Sequence, residues 1–540
     1  MGLRRLLAVL VLALVAGCGG AAPHDGALPT GHEQAPAVVH APPDPAPHPA
    51  HAPPAPASHG RPELAPSLAV ARTRLAVARA RLRERRRLAA LAQARRSHTV
   101  GGALRRALLT RHIGARTYRR LRGEYAAARA TAARLTGLRR AELGAVLAAT
   151  DRLAAEQQLT EGRFAPVFLV LRRNRQFWST ARTLPVAHDR VTFGRDPAVF
   201  QYYPGQGMQL QQLASWGRVN ARLGLCFEGR RCPQRALGRA VDRLVHLASR
   251  RDGFVAWESY FSFGGGTPPW ISGMTQGTAL QALARGARAL HRDRYLRVAE
   301  VVLPAFELPP PVGVAAPVAG GRMYLMYSFA PGLRILNGDL QAITGLRDLA
   351  ALGGSWRART LYRRGERAAR RLVPAFDTGA WSLYSQDGAE STLGYHELVG
   401  QFLGNLCRRT GGRPYCVAHQ RFARYEHEPP RIGLARLARL RAHRSVRVRF
   451  SLSKVSQVAV SVSGPHGSMR RALSLPRGAH FVDWTPPARG RYRVRIVARG
   501  PSGPRGVRAE AVRVVLPRPR HHRRPKVRGV RARVAPRPVG

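Results

Sequence analysis

The spacing of apolar residues changes several times along this chain, and each change predicts a different kind of element. From Leu64 to about Leu159 the chain is rich in Ala, Leu and Arg. Leu68, Leu75 and Leu82 recur every seven residues, and Leu121, Tyr125, Ala128, Ala132 and Leu135 follow at helical spacing. This predicts an antiparallel hairpin of two long helices, or a coiled-coil segment, over 63–160, with the segment from His98 to Thr117 between the helices. Over 165–430 the stretches 207–224, 235–250, 274–291, 336–352, 357–375 and 394–409 are amphipathic, with loops rich in Gly, Pro and aromatic residues between them. Repeated helix pairs of this size predict an α/α toroid-like domain whose loops line a cleft. After residue 440 the period drops to two: Val446, Val448, Phe450 and Leu452 alternate with polar residues, as do Val458, Val460 and Val462, then Tyr492, Val494 and Ile496. That pattern predicts a small immunoglobulin-like β-sandwich over 440–516. The fold class expected is therefore multidomain and mainly α, with the toroid-like domain between a helical hairpin and a β-sandwich.

The two ends read differently. Arg4 and Arg5 precede an apolar run from Leu6 to Ala16 that ends in Val15-Ala16-Gly17-Cys18, the layout of a bacterial lipoprotein signal over 1–18 with Cys18 as the lipidated residue. The run is shorter than the ~20 apolar residues a spanning helix needs. Residues 19–62 are mostly Ala, Pro and His, a composition that makes an extended linker and no core. The tail from 517 to 540 is basic with Pro and Gly throughout and is expected to be disordered. These features place the protein outside the cytoplasm, anchored to the membrane by lipid.

Composition bounds the function classes. The formal net charge is +59, nearly all of it Arg, with Lys at 454 and 526 alone. Such an excess fits a polyanionic partner. Acidic polysaccharide serves as well as nucleic acid, because guanidinium pairs bidentately with carboxylate or sulfate, and no nucleic-acid partner is expected. A composition bias toward Arg, Ala, Gly and Pro is the competing explanation. Beyond Cys18 the cysteines form two local pairs, Cys226 with Cys232 and Cys407 with Cys416, spaced as disulfide-stapled loops. Neither pair has zinc-knuckle spacing and no His cluster completes a site, so no metal or cofactor is expected. No phosphate loop, GxSxG elbow or HExxH motif is present.

Ordered motifs carry a more specific signal. VFQYYPGQGMQLQQLASWG starts at Val199, and PPWISGMTQGTALQALARG, YSFAPGLRILNGDLQAITGLRDL, LYSQDG and YHELVGQ come after it. Together they resemble the C-terminal domain of the D-glucuronyl C5-epimerases over about 191–425. The resemblance implies catalytic roles for Tyr327, ten residues before Asn337, for Tyr384 after the Asp377-Thr378-Gly379 turn, and for Tyr395 in the Tyr-His pair. It also implies substrate contacts from Tyr202, Tyr203, Trp270, Gln276, Arg334, Asn337 and His396. Epimerising a uronic acid at carbon 5 needs acid/base groups on both faces of the ring and donors that stabilise an enolate-like state. The implied function is epimerisation of uronate residues in an acidic, glycosaminoglycan-like polysaccharide.

The chain departs from the family pattern at two places. Met326 stands where the family has a glutamate before the first tyrosine, and Asp387 where it has an arginine after the second. Arg334 or Arg322 is then the candidate carboxylate clamp, and Glu397 or Glu390 the candidate base. Two further readings stay open: a non-catalytic glycan-binding or envelope-structural protein on the same fold, and a polysaccharide lyase.

Overall fold

The structure, a computed structural model, describes residues 68–227, 232–437 and 440–515. The signal with Cys18, the linker and the basic tail lie outside them. The chain packs as two compact units. The first holds the described residues up to Ala316 with Tyr324–Pro331 and Ala342–Tyr362; the second holds Pro317–Met323, Gly332–Gln341 and the described residues from Arg363 on.

The first unit opens with four helices rather than a hairpin of two: α1 (Leu68–Arg96), α2 (Val100–Leu109), α3 (Ala115–Arg134) and α4 (Gly137–Ala155). The segment expected to separate two long helices itself contains α2. Thr99 caps it by accepting from the Gly102 amide, and Val100, Ala103, Leu104 and Ala107 form its buried face. Gly101-Gly102 reads as a breaker, yet Gly102 is there because a Cβ would sit 2.2 Å from the Ser97 hydroxyl. The helices are also joined to α5 (Phe164–Thr180) rather than standing apart as a separate hairpin. Arg139 donates to the carbonyls of Trp178 and Ala181, in and just after α5.

An antiparallel sheet of β1 (Arg190–Thr192), β2 (Val199–Tyr203) and β3 (Gly207–Leu210) comes next. Amphipathic spacing predicts a helix from residue 207, and the structure has a strand there instead. Gly205 and Gly207 have φ of 75° and 72°, which turns the chain back so that Met208 pairs with Tyr202. The Asn174 amide fixes this hairpin to α5, accepting from the Met208 amide and donating to its carbonyl. The helix starts later, as α6 (Gln212–Phe227), followed by α7 (Gln234–His246), the hairpin β4 (Ser249–Arg251) and β5 (Phe254–Ala256), the pair β6 (Glu258–Ser259) and β7 (Trp270–Ile271), then α8 (Gly273–Leu290) and α9 (Arg294–Glu300).

Helix α8 is buried on nearly every side, as its run of Ala, Gly, Leu and Thr allows. A hairpin of β8 (Ala315–Val318) and β9 (Gly321–Tyr324) leads to α10 (Leu336–Gly353) and α11 (Trp356–Leu372), both of which contribute residues to each unit. Gly345 of α10 lies so close to α8 that a Cβ would fall 2.0 Å from the Gly277 carbonyl oxygen.

In the second unit α12 (Leu393–Thr410) and α13 (Arg413–Tyr425) are joined by the Cys407–Cys416 disulfide; Cys226–Cys232 closes the α6–α7 connection in the first. The remaining strands make two sheets. One has the order β10 (Ile432–Leu434), β12 (Val446–Leu452), β15 (Gly478–Trp484); the other has β11 (Leu440–Arg441), β17 (Arg505–Val515), β16 (Gly490–Arg499), β13 (Ser456–Gly464), β14 (Gly467–Leu475). Val448 and Trp484 of the first sheet share a core with Val462, Tyr492, Val494 and Val512 of the second, so the pair is a β-sandwich. The alternation that predicted β12, β13 and β16 is the alternation of burial along them. The sandwich belongs to the same unit as α12 and α13. Glu390 accepts from the Val455 and Arg477 amides, and Lys454 donates to the Tyr425 and Glu428 carbonyls. Among the described residues no helix is long and apolar enough to cross a membrane.

Candidate active site

The first unit gathers an aromatic cluster around Trp270. Tyr203, Phe261 and Trp270 are buried, with Tyr327 and Phe329 packed against them. Tyr203 stacks on Phe261 at 4.5 Å, and Tyr327 stacks on Phe329 at 5.3 Å while meeting the edge of Trp270 at 5.7 Å. The indole N–H of Trp270 donates to the Phe261 carbonyl. Ser328, beside Tyr327, is fixed at both ends: its amide donates to the Ile271 carbonyl and its hydroxyl accepts from the Ile271 amide. Thus three of the residues named from the motifs, Tyr203, Trp270 and Tyr327, do share one cluster.

Two others in this unit have structural tasks instead of the expected substrate contacts. Tyr202 is buried and donates from its hydroxyl to Glu142, 2.8 Å away; burial first, then that carboxylate, pushes its pKa up to about 12. Glu142 also accepts from the Gly205 and Gly207 amides, so it holds the whole β2–β3 turn. Gln276 is fully buried, with its amide accepting from the Trp257 N–H and donating to the Trp257 carbonyl. Both side chains position the hairpin and strand that carry the aromatic cluster.

In the second unit the loop after Asp377 presents Tyr384, and the first turn of α12 presents Tyr395. The Asp377-Thr378-Gly379 turn is built as its residue types require: Asp377 accepts from the Gly379 amide, Thr378 from the Trp381 amide, and Gly379 has φ of 80°. Tyr384 and Tyr395 are half-buried, with ring centroids 4.8 Å apart. A β-bridge between Ile335 and Ser385 ties this loop to the segment carrying Arg334 and Asn337. Arg334 donates to the Gln386 side-chain oxygen at 3.4 Å. Asn337 is 3 % exposed, and neither atom of its amide has a hydrogen-bond partner. A buried amide left this way costs free energy unless water or ligand satisfies it.

His396 takes a different place from the one its motif implied. It is fully buried and stacked on Trp381 at 3.6 Å. Its Nε2 meets the Phe422 carbonyl at 3.0 Å and Nδ1 meets the Ser382 hydroxyl at 2.7 Å, so both nitrogens serve the fold. Burial lowers its pKa to about 4, beyond what the bond to the Phe422 carbonyl restores, and the ring is neutral at physiological pH. The departures from the family pattern are also absorbed. Met326 is buried, its sulfur 3.6 Å from the Ser272 hydroxyl, and Asp387 accepts from the Ser385 hydroxyl and the Ala389 amide. Glu390, a candidate base, is held by the two sandwich amides already described.

Sequence reasoning missed Glu142 and a second buried carboxylate, Glu258, which Arg163 and Arg251 grip at 2.7 and 2.9 Å while the Tyr260 hydroxyl donates to it. It also missed the Gln212 side-chain amide and the Trp216 indole nitrogen, one turn apart on α6, buried without partners. Among the described residues no group of three His, Cys, Asp or Glu is placed to hold a metal ion.

Comparison with known proteins agrees with the motifs. Residues 251–424 match the family model of the D-glucuronyl C5-epimerase C-terminus; the Tyr202–Tyr203 segment lies ahead of that match. A D-glucuronyl C5-epimerase of Caenorhabditis elegans is 31% identical over 130 residues, covering 22% of this chain and 21% of the relative. An uncharacterized protein of Methanocaldococcus jannaschii is 24% identical over 176 residues, 31% of this chain and 57% of that protein. The chain thus spans only a fifth to somewhat over half of the length of these curated relatives. Among solved structures, cellobiose 2-epimerase of Spirochaeta thermophila is similar at 16% identity with a TM-score of 0.32, covering 49% of this chain and 69% of that one. The match over residues 251–424 contains Tyr327, Tyr384 and Tyr395 in their motifs, so this region of the chain is similar to the D-glucuronyl C5-epimerase C-terminus.

Proposed function

We propose that the protein epimerises uronic acid residues at carbon 5 in an acidic polysaccharide, on an α/α toroid, and that it does so outside the cytoplasm from a lipid anchor at Cys18. The observation that carries the chemistry is the pair of half-buried tyrosines, Tyr384 and Tyr395, with rings 4.8 Å apart beside a segment bearing Arg334 and an unpartnered Asn337 amide. In the proposed reaction one phenolate takes the proton from carbon 5. The electron pair moves into the carboxylate to give an enolate-like state, and a phenol returns a proton to the opposite face. Arg334 and Asn337 are suited to stabilise the added charge. Tyr327 is assigned a proton-transfer role by its motif position.

A second reading, a glycan-binding protein without catalysis, is favoured by Met326 in place of the family's glutamate. Deuterium incorporation at carbon 5 in heavy water, across a panel of uronate polymers, separates the two. Incorporation that falls by about 10²-fold or more in Tyr384→Phe and Tyr395→Phe supports the epimerase. No incorporation by the wild-type protein on any polymer refutes it, and an unsaturated product absorbing in the ultraviolet identifies a lyase. Release of a Cys18→Ala variant from the membrane fraction tests the anchor.

A further inference from the structure

The two sheets of the sandwich treat their arginines differently. On the outer face of the three-stranded sheet, Arg447 lies 3.6 Å from Asp483 and covers the Phe481 ring at 4.7 Å. The outer face of the five-stranded sheet has arginines and no carboxylate. Tyr492, Val494 and Ile496 of β16 point into the core, which leaves Arg491, Arg493, Arg495 and Arg499 exposed. The register sets Ser461 beside Arg495 and Arg470 beside Ser461, with Ser463 and Ser468 in the row of Arg493. Arg513 stands directly opposite Arg491, and Arg505 opposite Arg499. The acidic residue of these strands, Glu510, has the inward parity of Val512 and Val514, and its carboxylate lies 3.4 Å from the Leu437 amide.

Like charges directly opposite each other weaken a sheet, so the pairs Arg491–Arg513 and Arg499–Arg505 oppose folding stability. Among the described residues no ion pair relieves any arginine on this face. Richness in arginine over the whole chain accounts for arginine on both sheets. It does not account for stacking it in opposed pairs on one of them.

We infer that this face is a docking surface for a linear polyanion, an acidic polysaccharide carrying carboxylates along its length. Alternate residues of a strand repeat every ~6.7 Å, so β16 offers a row of guanidinium forks, each matched to a carboxylate bidentately. The residues between are Ser, Ala and Gln, with Val497 and its partner Val507 interrupting the row between Arg495 and Arg499, and none is larger than the arginines beside it. Single-stranded nucleic acid is held by stacking on aromatic rings, and no aromatic residue lies on this outer face among the described residues. The choice of a uronate polymer rests on the proposed epimerase function; the surface itself does not. A polymer held here raises the local concentration of its uronate residues for the rest of the chain.

The test uses the full-length protein with Arg491→Ser, Arg493→Ser and Arg495→Ser combined, and Arg447→Ser on the other sheet as the control. Affinity for an unsulfated glucuronate polymer is measured by calorimetry at several salt concentrations, with neutral dextran, duplex DNA and anionic lipid vesicles as comparison ligands. The triple variant is expected to bind the glucuronate polymer about tenfold or more weakly, with a shallower salt dependence, while Arg447→Ser stays near wild type. Its exchange at carbon 5 is expected to persist on short uronate oligosaccharides and to fall on dilute polymer. Lost polymer affinity in a protein that shows no exchange at all upholds the surface and refutes the epimerase. Unchanged affinity in the triple variant, or wild-type binding to DNA or vesicles tighter than to the polymer, overturns the proposal.

Discussion

Buried polar groups are handled in opposite ways in the two units. In the first, Glu258 is kept charged. Burial alone would raise its pKa, but the hydrogen bond and charge of Arg163, joined by Arg251, hold it below its ordinary value. In the second, His396 is kept neutral, its pKa lowered to about 4 by burial between Trp381 and Phe422. Lys454 lies nearby, over the Trp381 ring at 5.1 Å, and burial lowers its pKa too. An ion pair is sensitive to loss of a partner. A neutral imidazole is sensitive to acid.

The sharpest way to break this contrast is Glu258→Ala. It strands two nearly buried guanidinium groups without a counter-charge, and such a loss is expected to cost about 3–5 kcal/mol of unfolding free energy in urea titration. A cost below about 1 kcal/mol would show that the cluster is dispensable.

Acid separates the two units next. Between pH 6.5 and about 4 an unfolded His396 gains a proton that the folded one does not. The unfolded state binds more protons there, so stability falls with acidification, by up to about 3 kcal/mol across the window. Glu258 behaves as a depressed carboxylate, and its contribution is lost only as pH falls below the ordinary value of 4.5. At about pH 5 the first loss is therefore under way and the second is not. A His396→Gln variant should flatten the upper limb of the stability profile and leave the lower one. An unchanged upper limb would contradict the burial argument.

The disulfides compare the units by a means independent of charge. Each closes a short loop, with sequence separations of 6 and 9 residues. Cys226→Ser and Cys407→Ser should each cost about 2–3 kcal/mol, the larger cost falling to Cys407. Free thiols in the wild-type protein, found by mass spectrometry of unreduced peptides, would remove the basis of both.

The smallest expected effect is Tyr202→Phe. It deletes one of three donors to Glu142 and leaves the Gly205 and Gly207 amides in place, so about 1–2 kcal/mol is expected in thermal unfolding. Near-complete unfolding would instead give Tyr202 a larger role than hydrogen bonding to Glu142.

Residue order alone reveals β12, β13 and β16 of the sandwich and most helices from 234 onward, because burial on one face imposes a period that survives in it. It also placed both cysteine pairs and marked Tyr327, Tyr384 and Tyr395 through their motifs. Which marked residues are held inside the fold is visible only in the folded chain. Tyr202, Gln276 and His396 carry the same polar atoms as a binding residue, and nothing in their order shows that Glu142, the Trp257 backbone and Ser382 with Phe422 occupy those atoms. The same holds for α2, where Gly102 is a breaker by propensity and a close contact by packing. Periodicity reports which face of an element is buried. Partners for a buried polar atom come from distant segments, and only the folded chain brings them together.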